Sequence, residues 1–427
     1  MKSIYWFRND LRLKDNLALN YALNNSEHIL FIHIDDTQND ENSSWGFKRR
    51  GKHRNIFMLQ GLEDLQKDLN AYAHTLNRFV GDPRNIFEGL IKQYKINSVF
   101  CEAIFAPEEQ EKEKSIKELG VTIHAHFQSS LYMPEHLPFE LKDLPDVFTQ
   151  FRNKIEAEGI VPEEPVVLSE RIKEILPISI VKENLFLPIF TEAYVNSSFP
   201  ISDKKFKGGE RNANLYIHHY FKSKYPETYK LTRNNLMGIE CSTKFSPWLS
   251  LGFISPNQIY KALKEYERKN TANESTYWIF FELLWRDYFR FLFMKYGKKL
   301  FYKKGLGLSN NNCQHDEKKF NAWRNGKTPS SFINAGICEL NQTGFISNRM
   351  RQILASYLVN ELACDWRAGA AWFEHQLIDY DVYSNYANWS YIAGVGTDPR
   401  GGRHFNVDKQ KNTYDPDGSY EKVWKKL

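Results

Sequence analysis

The C-terminal half of the chain carries four short clusters of polar residues whose types and spacing suit the binding of a ligand. The first, CSTKFSPWLSLGFIS over residues 241–255, sets the hydroxyls of Ser242, Thr243 and Ser246 around a lysine and a proline. Hydroxyls and main-chain N–H groups that precede a helix can hold a phosphate group. The same residues also make an ordinary helix N-cap, which is the commoner role of a single motif of this kind.

The second cluster, YWIFFELLWRDYFRF over residues 277–291, places two charged residues in aromatic surroundings. Glu282 and Arg286 lie four residues apart on a predicted helix, next to Trp285. A surface ion pair is the simplest interpretation, but it suits this sequence poorly because nearly every flanking residue is apolar. A carboxylate in such surroundings needs a partner and is a candidate for function.

The third cluster, TGFISNRMRQ over residues 343–352, is predicted to begin a helix. Asn348, Arg351 and Gln352 share one face of that helix, opposite much of its apolar stripe. The alternative interpretation is the polar face of an ordinary amphipathic helix.

The fourth cluster, residues 376–405, combines Asp379, Asp381 and Asn385 with a glycine-rich run. Two acids one residue apart also occur at metal sites, but no matching set of histidines or carboxylates accompanies them, so the sequence disfavours a metal. The chain lacks the motifs GxSxG, HExxH and GxxxxGK(S/T). Interpretations as a hydrolase, a zinc protease or a P-loop protein therefore have no support.

These clusters need a scaffold, and the first 130 residues predict one of alternating strands and helices. Helix-length amphipathic segments, such as residues 53–69 and 107–119, separate short apolar runs. This alternation predicts a parallel, doubly wound α/β sheet, without a GxGxxG dinucleotide motif after its first strand. The predicted strands are residues 4–7, 29–34, 78–80, 98–101 and 121–126.

The rest of the chain predicts a connector followed by an all-α domain. Half of the 16 prolines fall between Pro134 and Pro200, so residues 131–204 are predicted to be a long connector that wraps one domain onto the other. The domains are then residues 1–130 and 205–427. The predicted helices of the second domain are residues 255–266, 274–296, 318–325, 346–363 and 368–377.

The composition is that of an ordinary globular protein with many aromatic residues. Hydrophobic residues make up 42% of the 427 residues, aromatic residues 15%, and the net charge is +5. The five cysteines are scattered, which argues against a CxxC motif or a disulfide framework. With no charged-then-apolar leader and no membrane-length apolar run, we expect a cytoplasmic protein that does not enter membranes.

Together and in this order, the four clusters resemble the FAD-binding domain of the photolyase–cryptochrome family. The opening IYWFRNDLRLKDNLAL is similar to the first strand and turn of that family, and the resemblance spans the chain. The segments LPFELKDLPDVFTQFRNKIE, TRNNLMGIECSTKFSPWL, STYWIFFELLWRDYFRF and KQKNTYDPDG are most like the DASH-type cryptochromes.

The resemblance implies an α/β antenna domain, a helical FAD-binding domain, and electron transfer driven by blue light. It implies a deoxyribodipyrimidine photo-lyase that repairs cyclobutane pyrimidine dimers in single-stranded or looped DNA. We expect the protein to be a monomer. Two alternatives stay open: a blue-light receptor that binds nucleic acid without efficient repair, and a flavoprotein of electron transfer alone.

The resemblance also implies roles for individual residues. Asn385 is expected near flavin N5, Arg351 is expected to pair with Asp379, and Asp381 is expected to bond the ring or ribityl edge. The residues expected to hold FAD are Tyr229, Ser242, Thr243, Lys244, Phe245, Ser246, Glu282, Arg286, Phe345, Asn348, Arg351, Asp379, Asp381 and Asn385.

A second group is expected to act on the substrate and on electron supply. Glu282 would stabilise the dimer after it receives an electron, and Trp389 and Trp366 would be the two inner members of an electron-hopping chain. The residues expected to contact the substrate are Trp285, Tyr391, Gln352, Arg349 and Arg403.

Two positions concern light capture. Cys313 stands where the family usually has the outermost tryptophan of the hopping chain, so photoreduction of FAD is expected to be slow. Trp323, Trp372 or a tyrosine could replace that tryptophan as the outermost electron donor, and the sequence does not choose among them. A folate antenna is expected at the seam between the domains, with Glu109 as its contact. A glutamate in the first turn of a helix is more often explained by the helix dipole.

Overall fold

Five short apolar segments near the N-terminus form one parallel sheet. The computed structural model describes residues 1–178, 196–307 and 314–425. The strand order is β3-β2-β1-β4-β5, and every pairing is parallel. The strands are β1 (Lys2–Phe7), β2 (His28–Asp35), β3 (Leu76–Val80), β4 (Ser98–Glu102) and β5 (Thr122–His126).

Helices cover both faces of this sheet. Along β1, Tyr5 and Phe7 point into one core, and Ile4 and Trp6 point into another, as the two-residue period of a strand requires. The predicted doubly wound α/β architecture is confirmed, with two helices, α1 and α3, beyond those predicted. The helices are α1 (Leu17–Asn25), α2 (Lys52–Asn70), α3 (Pro83–Tyr94) and α4 (Pro107–Lys117).

The connector has more regular structure than its prolines indicated. It contains α5 (Phe148–Ala157), whose Phe148, Phe151 and Ile155 lie in the core. It also contains β6 (Leu176–Pro177), which pairs with the first residues of β2 at a free stretch of the sheet edge, where proline is tolerated. Residues 179–195 lie outside the described ranges, and the domain boundaries stay predictions.

The C-terminal domain is helical, and beyond residue 205 no strand occurs among the described residues. The single helix predicted for residues 346–363 is wrong in its second half, because the α-helix ends at Ser356 and a π-helical turn (Tyr357–Glu361) follows. The helices are α6 (Glu210–Lys222), α7 (Tyr225–Thr232), α8 (Ser246–Ser250), α9 (Pro256–Lys269), α10 (Glu274–Tyr296), α11 (Glu317–Arg324), α12 (Ser331–Thr343), α13 (Asn348–Ser356), α14 (Trp366–Gln376), α15 (Val382–Ile392), α16 (Val407–Tyr414) and α17 (Ser419–Trp424).

Buried polar contacts fix the two domains against each other. The Glu210 carboxylate at the start of α6 accepts hydrogen bonds from the main-chain N–H groups of Leu13 (2.7 Å) and Lys14 (3.3 Å). The fully buried Arg12 donates to the carbonyl of Gly252 at 3.1 Å. Because both contacts satisfy groups that burial would otherwise leave unpaired, they hold the sheet in one orientation on the helices. No helix in the described part of the chain is long and apolar enough to cross a membrane.

Candidate functional site

A cavity of about 910 Å³ lies inside the helical domain. It is bounded by α7, the 241–250 segment, α10, α13 and α15. Apart from Trp366, every residue that the sequence assigned to FAD, catalysis or the substrate lies on its wall. Those residues are Tyr229, Ser242, Thr243, Lys244, Phe245, Ser246, Glu282, Trp285, Arg286, Phe345, Asn348, Arg349, Arg351, Gln352, Asp379, Asp381, Asn385, Trp389, Tyr391 and Arg403.

One wall holds a buried cation with no ionic partner in the described part of the chain. Lys244 is 4% exposed and lies at φ 56°, a left-handed conformation that is uncommon for a residue with a side chain. Burial lowers the pKa of its ammonium to about 8. Its Nζ lies 5.3 Å from the centre of the Phe345 ring. A buried ammonium at a cavity wall is well suited to a phosphate.

Other polar groups on the same wall also await a partner. Within the described residues, the side chains of Ser242, Thr243 and Asn348 make no hydrogen bond, and Oε1 of Gln352 is buried without a donor. Ser242 and Thr243 are half-buried and Asn348 is exposed, so the Gln352 oxygen is the one of these atoms that burial leaves without a partner, and it indicates a ligand that offers a donor there. FAD, with its phosphates, ribityl hydroxyls and ring edge, fits this set.

Arg351 and Asp379 form a two-pronged ion pair on the cavity wall. Nη1 of the arginine lies 3.0 Å from Oδ1, and Nη2 lies 2.9 Å from Oδ2. The arginine is also fixed by the carbonyl of Ile346 at 3.1 Å, and the aspartate accepts from the Ser246 hydroxyl at 2.6 Å. The pair therefore ties the first, third and fourth sequence clusters together.

Asp381 sits between two arginines at the far end of the cavity. It caps α15 by accepting from the N–H of Ser384 at 2.8 Å, and it lies 3.7 Å from Arg290. Burial alone would raise the pKa of its carboxyl, but Arg290 and Arg286 outweigh it and bring the pKa below its usual value. Asp381 therefore carries its negative charge beside the ligand.

The Asn385 amide has a fixed orientation. Its Nδ2 donates to the carbonyl of Ala370 at 3.0 Å, and the residue is buried. Because the nitrogen of the amide makes this contact, the side-chain oxygen is the group that remains available to a ligand. An acceptor at this position suits a protonated ring nitrogen.

Glu282 is paired with a residue that sequence reasoning missed. Its carboxylate accepts from Arg233, whose guanidinium also lies 4.4 Å from the Trp278 ring centre. Burial raises the pKa of the Glu282 carboxyl, and Arg233 only partly offsets that rise. Arg286, four residues along the helix, bonds instead to the carbonyls of Ser129 and Leu249. The helix spacing of Glu282 and Arg286 therefore does not produce an ion pair.

Trp285 and Tyr391 form two perpendicular aromatic walls. Their ring centres are 6.2 Å apart and their planes meet at 87°. The other face of Trp285 stacks on Phe148 at 3.7 Å, and Arg403 donates to the Tyr391 hydroxyl at 2.7 Å while bound to Asp398. Both walls are thus held in place before any substrate arrives.

Basic side chains surround this part of the cavity. Arg349 donates to Asn234 at 3.0 Å and lies 5.0 Å from the Tyr414 ring centre, and its Nε is buried without a partner. Arg233, Arg400 and Arg403 line the same cavity. Four arginines make this an electropositive site suited to a polyanion.

The two tryptophans assigned to electron hopping lie on neighbouring helices. Trp389 on α15 packs against Gly369 of α14 so closely that a Cβ there would lie 2.2 Å from the indole. Trp366 begins α14 and donates to the carbonyl of Lys303 at 3.1 Å. Each is 2% exposed, and Trp389 also meets Trp323 edge-on at 6.2 Å. Cys313 lies outside the described residues.

A second cavity, of about 480 Å³, lies at the seam between the domains, beyond the carboxyl ends of β1 and β2. Glu109 is on its wall. Asp381 and Tyr380 line both cavities and separate them. Its arginines, which sequence did not single out, are Arg8, Arg49, Arg50, Arg54 and Arg290.

The residues missed from sequence share a cause. The roles of Arg233, Phe148 and Gly369 depend on contacts across 49, 137 and 20 positions of the chain. Arg233 and Phe148 lie in two of the segments that resemble DASH-type cryptochromes, and Arg233 also lies one turn after Tyr229, but neither signal identifies the partner of either residue.

Two protein-family models match the chain. A family model for the FAD binding domain of DNA photolyase matches residues 278–425, and one for DNA photolyase matches residues 3–168. The chain is similar to a cryptochrome DASH of Danio rerio, at 42% identity over 98% of this chain and 81% of the relative. It is also similar to a cryptochrome DASH of Synechocystis sp., at 39% identity over 99% and 86%.

Solved structures show the same fold. The crystal structure of a Synechocystis cryptochrome superposes with a TM-score of 0.91 at 38% identity, covering 99% of this chain and 88% of that one. A bacterial class III photolyase from Agrobacterium tumefaciens has a TM-score of 0.80 at 26% identity, covering 99% and 86%. The helical domain is an FAD-binding domain, and the chain belongs to the photolyase–cryptochrome family, within its cryptochrome DASH group.

Proposed function

We propose that this protein repairs cyclobutane pyrimidine dimers in single-stranded or looped DNA, using blue light and FAD. One observation carries the proposal: the residues assigned to FAD and those assigned to a dimer line a single cavity, which is rimmed by arginines. FAD and a pyrimidine dimer could therefore lie in direct contact, with no protein wall between them. A cofactor and a substrate that exchange an electron directly need such contact.

Different residues of the cavity wall would bind different parts of FAD. Ser242, Thr243 and Lys244 would bind the phosphates, since their polar groups are otherwise unsatisfied in the described structure. The Arg351–Asp379 pair and Asp381 would fix the ring and the ribityl chain, and the oxygen of Asn385 would accept from the ring. When bound and reduced, FAD supplies the electron that light drives onto the substrate.

Glu282 would act on the dimer. Burial raises the pKa of its carboxyl, which favours the protonated form that can donate a hydrogen bond. A donor aimed at the carbonyl oxygens of the dimer would stabilise the negative charge that develops there after electron arrival. Trp285 and Tyr391 would receive the apolar faces of the two bases, and Gln352 would offer its unsatisfied amide to their edges.

The rim would bind the DNA backbone. Arg233, Arg349, Arg400 and Arg403 present positive charge around the cavity, and phosphates release counterions when such charges bind them. A single strand already has its bases unpaired, so it avoids the cost of extruding the dimer from a duplex.

A receptor that binds nucleic acid without efficient repair is the second candidate. The ion pair between Glu282 and Arg233 favours it, because it occupies the carboxylate that repair needs. Repair then requires a DNA phosphate to compete with Glu282 for Arg233, whose side chain is 20% exposed at the cavity rim.

The cavity at the domain seam would hold a folate antenna. Glu109 lies on its wall, and Arg54, which makes no hydrogen bond or ion pair in the described structure, lies 5.0 Å from the centre of the Tyr380 ring. A cation without a carboxylate partner suits the acidic tail of a folate. An added near-ultraviolet band in the purified protein, lost in Arg54→Met, would support this assignment; a band that survives the change would refute it.

The repair proposal is tested with chemically reduced protein, a single-stranded oligonucleotide carrying one thymine dimer, and blue light. We expect light-dependent loss of the dimer, with Glu282→Ala inactive and still loaded with FAD. Binding of the oligonucleotide without repair in the unchanged protein would select the receptor alternative.

A further inference from the structure

The tryptophan Trp366 has a tyrosine as its aromatic neighbour. Its ring centre lies 6.2 Å from that of Tyr386, with the planes at 77°. Trp366 is 2% exposed, so an external reductant does not reach it directly. Tyr386 is half-buried and lines the 480 Å³ cavity at the domain seam. The phenol is therefore placed between a buried indole and an open cavity.

The hydroxyl of Tyr386 is bonded to a buried carboxylate. It donates to Oε2 of Glu374 at 3.1 Å, while Oε1 of Glu374 accepts from Arg49 at 3.1 and 3.2 Å. Burial raises the pKa of the Glu374 carboxyl, so it is a better base than an exposed carboxylate. A phenol with a positioned base can lose its proton at the moment it loses an electron.

A second electron path, from Trp389 to Trp323, ends inside the protein. Trp323 meets Trp389 at 6.2 Å, but it is fully buried, and its other ring contacts in the described structure are Phe320 and Phe373. A phenyl ring is much harder to oxidise than an indole or a phenol. Charge that moves to Trp323 therefore has no easily oxidised ring in contact to carry it onward.

We propose that Tyr386 is the terminal electron donor of the photoreduction chain and that Glu374 is its proton acceptor. The inference rests on the proposed light-driven electron transfer. Trp366 would pass one electron by way of Trp389 to the FAD site after illumination, and Tyr386 would then give one electron to the oxidised Trp366.

The proton and the electron then return by separate routes. The O–H proton of Tyr386 passes to Oε2 of Glu374, and a neutral tyrosyl radical is left at the cavity wall. A small thiolate that enters the cavity gives one electron to the tyrosyl radical and becomes a thiyl radical, and Glu374 returns the proton to the phenol oxygen. The thiyl radicals of two turnovers combine to a disulfide, so both protons and electrons balance.

The test is a set of three variants of the FAD-loaded protein. Tyr386→Phe should slow photoreduction with an added thiol by on the order of tenfold or more, and Glu374→Gln should do the same although it keeps the ring contact. Tyr383→Phe is the matched control, because it lies on the same helix and the same cavity wall and makes no ring contact with a tryptophan in the described structure.

Two spectroscopic readouts separate the mechanism from a structural effect. A frozen illuminated sample should show the electron paramagnetic resonance signature of a tyrosyl radical, and the infrared difference spectrum should show a newly protonated carboxyl. Both signals should be missing in Tyr386→Phe, and the carboxyl signal should be missing in Glu374→Gln. Folate content is recorded for each sample because a ligand in this cavity covers Tyr386.

A tryptophanyl signal alone in the unchanged protein, or slowing by Trp323→Phe with no effect of Tyr386→Phe, would overturn the proposal. Dimer repair by chemically reduced Tyr386→Phe should stay at the level of the unchanged protein. Failure of the tyrosine proposal thus leaves the repair proposal standing, and loss of repair in every sample counts against the latter alone.

Discussion

Arg351 and Asp379 form a bidentate ion pair, with Nη1 3.0 Å from Oδ1 and Nη2 2.9 Å from Oδ2, and the Asp379 side chain is only 2% exposed. We expect Arg351→Met to release FAD, because the buried carboxylate loses its partner at a cost of about 3–5 kcal/mol. The ratio of flavin to protein absorbance after purification measures this. Arg400→Met, on the same cavity wall, should retain FAD; full occupancy in Arg351→Met would show that the ion pair does not hold the cofactor.

The buried ammonium of Lys244 makes FAD affinity depend on pH. Burial lowers the pKa of Lys244 to about 8 in the free protein, and a bound phosphate should raise it again. Below pH 8 the lysine is already charged; above it, binding must take up a proton, so affinity should fall by up to about tenfold per pH unit. Titration of the apoprotein with FAD between pH 7 and 9.5 measures the slope.

Glu339 is the control for that slope. It is also buried, and burial raises the pKa of its carboxyl to about 8. Glu339→Gln should retain the slope but move its onset to lower pH, because the Glu339 carboxylate raises the pKa of Lys244, and Lys244→Gln should flatten the slope. The reverse result would assign the pH dependence to the glutamate.

Glu282→Ala should lose most dimer repair while keeping FAD. Removing a hydrogen-bond donor aimed at developing charge raises the barrier by about 3–4 kcal/mol. Glu282→Gln should keep part of the rate because its amide can still donate. Single-turnover repair by reduced protein distinguishes them, and equal rates for the two variants would remove hydrogen-bond donation as the role of this residue.

Gly369 is required by the position of Trp389. An alanine Cβ would lie 2.2 Å from the indole, so Gly369→Ala should cost about 1–3 kcal/mol of unfolding free energy and slow photoreduction. Gly89→Ala in α3 meets nothing within 4 Å and should be neutral or stabilising by up to about 1 kcal/mol. Denaturant unfolding compares the two, and equal stabilities would contradict the packing seen at Trp389.

Dimer-containing single strands should bind more tightly than the matching duplex. The rim arginines contact phosphates, so affinity should fall steeply as salt rises. Fluorescence anisotropy at several salt concentrations measures both effects. Equal affinity for single strand and duplex would remove the single-strand preference from the proposed function.

Much of this architecture is readable from sequence because its signals are local. The apolar runs of β1 to β5 and the long, mostly apolar run of α10 are visible within a short window of sequence, and the predicted bounds of α10 coincide with the observed ones, Glu274–Tyr296. The connector was less predictable, because α5 is set by the burial of Phe148 against Trp285, a contact between distant segments.

The site itself was predictable only as a set of residues. Motif order identifies the family, and the family implies which residues face the cavity. Nothing in the local sequence reveals that Glu282 pairs with Arg233 rather than with Arg286, or that Tyr386 bonds to Glu374. Such pairings depend on how α7, α10, α14 and α15 pack, which no short window of sequence encodes.

The most direct test illuminates chemically reduced, FAD-loaded protein with a single-stranded oligonucleotide that carries one thymine dimer. The dimer content is followed by chromatography, with a dark sample and Glu282→Ala as controls. We predict that blue light restores both thymines in the unchanged protein and in neither control. An unchanged dimer after illumination, with FAD stoichiometric and the oligonucleotide bound, would contradict repair as the function of this cavity.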